Sequence, residues 1–471
     1  MKKENGYLTV CIAIILPVIL SLCITLIEGA RQNAVRLEAT CACETAVQSV
    51  MAEYHQVLRD QYDIFAIDSS YGGSRSGREQ VEARLHYYMR KNIEPIGVVG
   101  GTYQDFIQLR TGLEAVEGVT ILSDEMGTVF RRLAVESVAE SSDLHMLEQL
   151  KEWMKIVEAN GLVEGREEEK WQQADAKISE YRNLYPELEI QNPTEQLRES
   201  QRKGILYLLT DVEELSSKSM DLGSTIGGRM REGKINCGNL TYITEAPITP
   251  ALEKIRFQQY LAKKMGSFGA VKEQRALDYE QEYLISGKSS DIDNMRVVCH
   301  RLLLLREASN MMYLWNCPAK RQEVLVMAEL LCGAVALPEL IPIMEMALLL
   351  GWAYAEGIMD VRSLMQGGKV PLLKSDENWS LSLSAAINGQ MDVKPAQEKG
   401  LSYSDYLAVF MMLEREEDLT VRAMNLIEAN IRKTDGNKAF RMDACFTALE
   451  VYIRVHGAKE QQCEYRRYRK Y

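Results

Sequence analysis

From Tyr7 to Ile27 the chain runs for 21 residues without a charge, and that run limits the fold before any other feature does. At 1.5 Å per residue, a helix of that length spans roughly 30 Å, the thickness of a bilayer's hydrocarbon core. Pro17 lies inside it, and a membrane helix tolerates such a residue. Lys2 and Lys3 precede the run, while Arg31 and Arg36 follow it. By a small margin, the positive-inside rule then places the N-terminus in the cytoplasm. A cleaved signal peptide is the first rival, but it has a shorter apolar core that closes on a small-x-small site. Here the run closes on Ile27-Glu28-Gly29-Ala30. A lipoprotein signal is the second rival; Cys23 is present, but Leu22 stands where a small residue is needed. The run favours a retained anchor.

Residues 30–71 contain neither Gly nor Pro. Val35, Ala39, Cys43, Val47, Val50, Tyr54 and Leu58 recur at spacings of three or four, which marks one apolar helical stripe. If the membrane helix continues without a break, Tyr7 to Tyr62 forms a rod of roughly 80 Å; the pattern alone favours a plain anchor joined to an ordinary amphipathic core helix. Glu28, Gly29 and Arg31, with the small residues Ala30, Ala34, Ala39, Ala42 and Ala46, are candidates for close helix–helix packing with other subunits. The stretch YDIFAIDSSYGGSRSG (62–77) ends the spine. DIFAID alternates as a short strand, and Tyr62, Asp63, Phe65, Asp68 and Tyr71 are candidates for a partner-contact loop. FIQLR (106–110) and AVEGVTIL (115–122) also read as strands, so a small sheet is expected beside the spine.

Beyond residue 124 the spacing is helical. Residues 161–203 are dense in charge, with Trp171, Ile178, Tyr181 and Leu184 still marking a face. The stretch 235–250 is irregular with room for one strand, and nearly everything from Pro250 to about residue 455 reads as helical. The apolar segment 325–358 is cut by Glu329, Glu339 and Glu345 and broken by Pro338 and Pro342, so it reads as core helices and not as a second span. The terminal EYRRYRKY reads as a solvated basic tail. The fold class is therefore mainly α. It comprises an N-terminal transmembrane helix continuing into a long juxtamembrane helix, a small β element near 62–122, and a large helical ectodomain. The expected segments are 1–29 (anchor), 30–130 (spine with the β element), 131–245 (charged, helical) and 246–471 (C-terminal helical domain).

Chemistry is sparse. The net charge of −12 disfavours nucleic acid as a partner. The ten cysteines contain no CxxC pair, so neither a zinc ribbon nor a thioredoxin motif is supported; one or two disulfides in an exported domain stay open. Ser286-Gly287-Lys288-Ser289 has the end of a phosphate loop, but Glu282 stands where its first Gly belongs, so no nucleotide is expected. SSDIDN (289–294) reads as a helix N-cap and turn. No HExxH or GxSxG occurs among the five histidines and the serines. No cofactor, metal or catalytic residue is assigned, and the chain is not read as an enzyme. The alternative is a cell-envelope ligand-binding or enzymatic ectodomain with a site in the 250–455 helical region. That reading demands a sizeable concave pocket with convergent polar groups.

GYLTV, LPVILSL and LIEGAR, then YDIFAIDSSYG at 62–72, resemble a family of membrane-anchored proteins of Gram-positive anaerobes with a domain of unknown function. Their N-termini are similar to the TadE/TadG-like minor pseudopilins of tight-adherence (Tad) pilus systems. The resemblance continues through YEQEYLISGKSSDIDN (279–294), WAYAEGIMDV (352–361), GLSYSDYLAVFMML (400–413) and NLIEANIR (425–432). It implies an accessory or structural component of a Tad-type, type IV-like pilus or secretion apparatus. That component would sit in the cytoplasmic membrane as a single-pass protein, N-terminus inside and ectodomain outside, with other Tad or pseudopilin-like proteins as partners. One feature departs from true type IV pilins. The fifth residue after Gly6 is Cys11, not Glu, which argues against processing by a prepilin peptidase.

Overall fold

The computed structural model describes residues 5–73, 75–93, 108–138, 144–162, 166–202, 204–241, 249–334, 336–390, 399–457 and 461–471. The chain is mainly α-helical and folds into two compact units, each made of separated stretches. Residues 1–130, 233–246 and 434–471 form the first; 131–232 and 247–433 form the second.

The first unit contains helices α1 (Asn5–Met51), α2 (Gln56–Tyr62) and α3 (Arg78–Ile93). Its strands are β1 (Ile67–Asp68), β2 (Arg110–Ile121), β3 (Cys445–His456) and β4 (Gln462–Lys470). α1 is 47 residues long, roughly 70 Å. The membrane helix does continue into the juxtamembrane stripe, but it stops eleven residues short of Tyr62, although no Gly or Pro stands there. The break is tertiary. His55 takes an extended backbone (φ −71°, ψ 110°) and caps α2, its Nδ1 accepting from the Leu58 N–H. Its Nε2 therefore carries the proton and donates to Asn437 Oδ1 at 2.9 Å.

The sheet is antiparallel. β3 pairs with β2 along one edge and with β4, then the short β1, along the other. Leu449, Val451, Ile453 and Val455 alternate inward along β3. They meet Val35, Ala39, Cys43, Ala46, Val47 and Val50 of α1, and Val81, Leu85 and Met89 of α3, in one apolar core. A bulge between Val116 and Gly118 resets the phase of β2, so that Val116, Val119 and Ile121 all face that core. AVEGVTIL is thus a strand as expected, whereas DIFAID gives only two strand residues. Of FIQLR, residues 106–107 lie outside the described residues, and only Arg110 belongs to β2. Two expectations are corrected at the other end of the chain. Residues 445–455 form a strand and not a helix, and EYRRYRKY lies largely in β4 and is no free tail. Its charges are paired: Tyr465 and Arg469 both donate to Glu44 of α1, and Arg466 lies 2.9 Å from Glu117.

In the second unit the described helices are α4 (Asp124–Val138, shared across the division), α5 (Leu144–Ala159), α6 (Arg166–Leu184), α7 (Glu195–Arg202) and α8 (Ile205–Leu209). They continue with α9 (Ile226–Arg231), α10 (Pro250–Lys264), α11 (Glu280–Ser286), α12 (Asp291–Asn316), α13 (Pro318–Ala334) and α14 (Ile341–Met365). α15 (Leu383–Ile387), α16 (Tyr403–Leu413) and α17 (Glu416–Arg432) complete the set. α12 and α14 form its centre. Gly357 lets them approach closely, since a Cβ there would come within 3.0 Å of Leu303 Cδ1. The segment read as core and not as a span is core: α14 is almost wholly buried from Ala347 to Val361. In α6, Trp171 and Ile178 are buried as the spacing predicted, while Leu184 at its end is exposed.

Candidate functional site

Two features of the described residues invite a functional reading, one in each unit. The first is the bare half of α1. Every side chain from Tyr7 to Ile27 is exposed, and the first buried one is Val35. The stretch is long and apolar enough to cross a membrane. Its polar groups can turn inward on the helix itself; Thr25 Oγ1 donates to the Ser21 carbonyl at 2.8 Å. Glu28 and Arg31 pair across one turn at 3.8 Å. Gly29 is exposed, and a Cβ there would meet nothing within 4 Å, so this chain does not itself need a glycine at that position. Ala34 is half-buried, while Ala39, Ala42 and Ala46 are buried. α3 and the sheet of the first unit thus occupy much of the small-residue face that the sequence offered to other subunits.

The expected contact loop is mostly folded in. Tyr62 is buried, and Asp63 takes a left-handed backbone (φ 55°) that closes α2. Phe65 is 41% exposed and touches the rings of Tyr54 (5.0 Å) and Tyr471 (5.8 Å). Asp68 is buried and accepts from the Ser70 N–H and Oγ. Tyr71 lies under the Arg84 guanidinium at 4.8 Å. Only Asp63 and Phe65 point outward.

The second unit holds a buried ion network that the sequence did not reveal. Lys374 Nζ lies 2.7 Å from both Glu356 and Asp360, and Arg306 Nε lies 3.0 Å from Asp360. Arg306 also donates to the carbonyls of Pro371 and Leu372, and Glu356 accepts from Ser380 and Leu381. The stretch GKVPLLKSDENW (368–379) is therefore fastened to α12 and α14. Two cations face two carboxylates, and both oxygens of Glu356 accept hydrogen bonds. Such a network fixes one arrangement of its loop more than it adds stability. The GKS stretch is likewise structural. Gly287 closes α11 in the left-handed region (φ 67°), and Ser290 caps α12 by accepting from the Asp293 N–H.

Beside this core lies a cavity of about 1050 Å³ between α6, α7, α8, α12, α14 and α16. One stripe of α12 forms its long wall: Val297, His300, Leu304 and Glu307 stand three or four residues apart. His300 is exposed at the mouth, whereas Glu307 is 2% exposed. Glu307 Oε1 has no hydrogen-bond partner. Burial, then the nearby Glu168 and Glu167 carboxylates, push its carboxyl up to about 8, against a smaller opposing pull from Arg198. Arg198 is already engaged. It donates to Asp175 at 2.6 Å and Glu168 at 2.9 Å, with its guanidinium 3.9 Å from the Trp171 ring centre. Burial alone would raise Glu168; hydrogen bonds from Gln172 and Arg198 outweigh it and hold that carboxyl below its usual range. Tyr354, whose ring lies 5.1 Å from Trp171, joins the wall beside Phe410. Val298, Leu302 and Leu305 of α12 form one apolar stripe and are buried in the core. The adjoining stripe with His300 and Glu307 was the missed signal, hidden because its polar and apolar members alternate.

Among the described residues no three His, Cys, Asp or Glu side chains converge as a metal site, and all ten cysteines are free thiols. Residues 184–457 match the model of a family of unknown function, DUF5702. No curated protein and no solved structure matches the chain.

Proposed function

The chain belongs to the DUF5702 family, a family of unknown function, and from that premise we propose a role drawn from the molecule itself. It is a single-pass membrane protein acting as an extracytoplasmic structural or assembly component of a Tad-type, type IV-like pilus or secretion apparatus. The observation that supports this is the division of α1. Its first half is an uncharged helix with no cover, and its second half is seated on an antiparallel sheet. A helix half in the membrane and half packed on a domain is the plan of pilins and pseudopilins. The resemblance of GYLTV, LPVILSL and LIEGAR to TadE/TadG-like N-termini supports the finer assignment. Lys2 and Lys3 favour the cytoplasmic side for the N-terminus.

Because Ala39, Ala42 and Ala46 are buried within the first unit, neighbouring subunits engage the bare half of α1 and the outward face at Leu37, Thr40, Cys41 and Thr45, all exposed. Oxidative crosslinking in native membranes tests this. Cys41 and the variants Leu37→Cys and Thr45→Cys are expected to crosslink to neighbouring pilus proteins, and the buried Ala42→Cys is not. Monomer alone at every outward position, with those proteins present, contradicts the assembly role.

A further inference from the structure

The cavity of the second unit raises a question that the assembly role does not answer, and the inference drawn from it stands apart from that role. A carboxyl group has been placed at the inner wall of a large, mainly apolar space and given no partner. Glu307 is almost wholly buried, and its Oε1 accepts nothing. Burying such a group without a partner costs free energy, so its presence needs a compensating group. The chain does not supply one. Arg198, the cation that acts on Glu307, is held through Nε and Nη1 by Asp175, Glu168 and Gln201, and its buried Nη2 makes no hydrogen bond to Glu307. Arg301 at the wall is paired with Glu414, and Arg296 at the mouth with Asp293. The remaining groups that act on Glu307, Glu167 and Glu168, are both negative. With Glu307 ionised, three carboxylates, those of Asp175, Glu168 and Glu307, thus share the one guanidinium of Arg198 at the inner end. Leu303, Leu304, Phe410, Leu413 and Tyr354 make most of its lining surface apolar, beside the polar Gln201, His300 and Glu169. A bare metal ion does not fit, because no three ligating side chains converge there.

We infer that this cavity binds an organic ammonium compound with an apolar body. Its charged nitrogen sits at Glu307, and its body lies against Leu304, Phe410 and Leu413. The ring faces of Tyr354 and Phe410 add to the attraction for a cation. The volume suits a ligand of drug-like size or somewhat larger. Because burial and the neighbouring carboxylates keep Glu307 protonated at neutral pH, an arriving ammonium ion drives its proton off. Binding is therefore linked to proton release.

The test uses the full chain in detergent, titrated at neutral pH with 4-phenylbutylamine, with 4-phenylbutan-1-ol as the uncharged match and calcium chloride as the metal arm. Calorimetry in two buffers of different ionisation enthalpy reads the protons exchanged. The amine is expected to bind at least about tenfold more tightly than the alcohol and to release about one proton. Glu307→Gln is expected to abolish the proton release and most of the preference, with alcohol affinity unchanged. Glu169→Gln, at the exposed mouth, is expected to weaken the amine only a few-fold. Should Glu307→Gln fail to fold, the wild-type amine-to-alcohol ratio and proton count decide the matter alone. Equal affinity for amine and alcohol, binding of neither, no proton release, or tighter binding of calcium than of the amine overturns the proposal.

Discussion

α1 and α14 are, among the described residues, the two helices long and apolar enough to cross a bilayer, and the chain treats them in opposite ways. None of the apolar stretch of α1 is buried, while 72% of the corresponding stretch of α14 is. The difference lies in what each helix asks of its surroundings. α14 brings Glu356 and Asp360 into the interior, where Lys374 and Arg306 neutralise them. It needs a protein around it. The bare half of α1 brings no charge at all, and each Leu, Ile or Val left in water forgoes roughly 1.5–3 kcal/mol of burial. It needs an apolar surrounding that this chain does not supply. The stretch of α1 is also much the more apolar of the two, and the placement of charge marks the same difference.

Several changes would break or sharpen that contrast. The largest effect is expected from Lys374→Met, which leaves Glu356 and half of Asp360 without a counter-charge in the interior. Loss of one partner from a buried network costs roughly 3–5 kcal/mol, and thermal unfolding should show a lowered melting temperature. Leu449→Ala, under the covered half of α1, should cost about 2–5 kcal/mol in the same experiment. Leu16→Ala, in the bare half, should leave the melting temperature where it was. Leu16→Arg should also leave it unchanged, yet reduce the fraction inserted in membranes, because an Arg at a span's centre costs roughly 3 kcal/mol. A drop in ectodomain stability from either Leu16 variant would mean that the bare half packs on protein after all.

A smaller effect concerns pH. Glu307 is raised to about 8, so between the ordinary carboxylate range and that value the folded chain binds the extra proton. Its contribution to stability is fully present at acid pH and is lost as pH rises through about 8, at up to about 1.4 kcal/mol per pH unit. Glu307→Gln removes that slope. Chemical denaturation across this range should find the variant more stable than the parent chain on the alkaline side.

What the sequence made legible follows the same division. The bare run, the stripe Val35–Val50, the strand at 115–121 and the core character of 325–358 were all written in local periodicity or in the absence of charge. The break at 52–55 was not, because it is made by His55 and by Asn437, 382 positions further along the chain. Nor was β4, whose alternating Tyr and Arg residues look like a solvated tail until Glu44 and Glu117 stand opposite them. The cavity was hidden for a related reason. Glu307 sits in sequence between Arg306, which turns into the ion network, and Ala308. Only the fold of α6 against α12 shows that Glu307 turns the other way. Within the loop at 62–71, Phe65 and Asp68 find partners inside their own unit that the sequence did not show.

The central claim is that the bare half of α1 lies in a membrane while the two folded units lie outside the cell. It is tested most directly by expressing the chain with a C-terminal tag, extracting membranes with alkaline carbonate, treating intact spheroplasts with protease, and sequencing the N-terminus of the membrane form. The account predicts a carbonate-resistant protein that keeps residues 7–27 and loses its folded units to protease added from outside. A released protein whose N-terminus begins beyond Ile27 would contradict it.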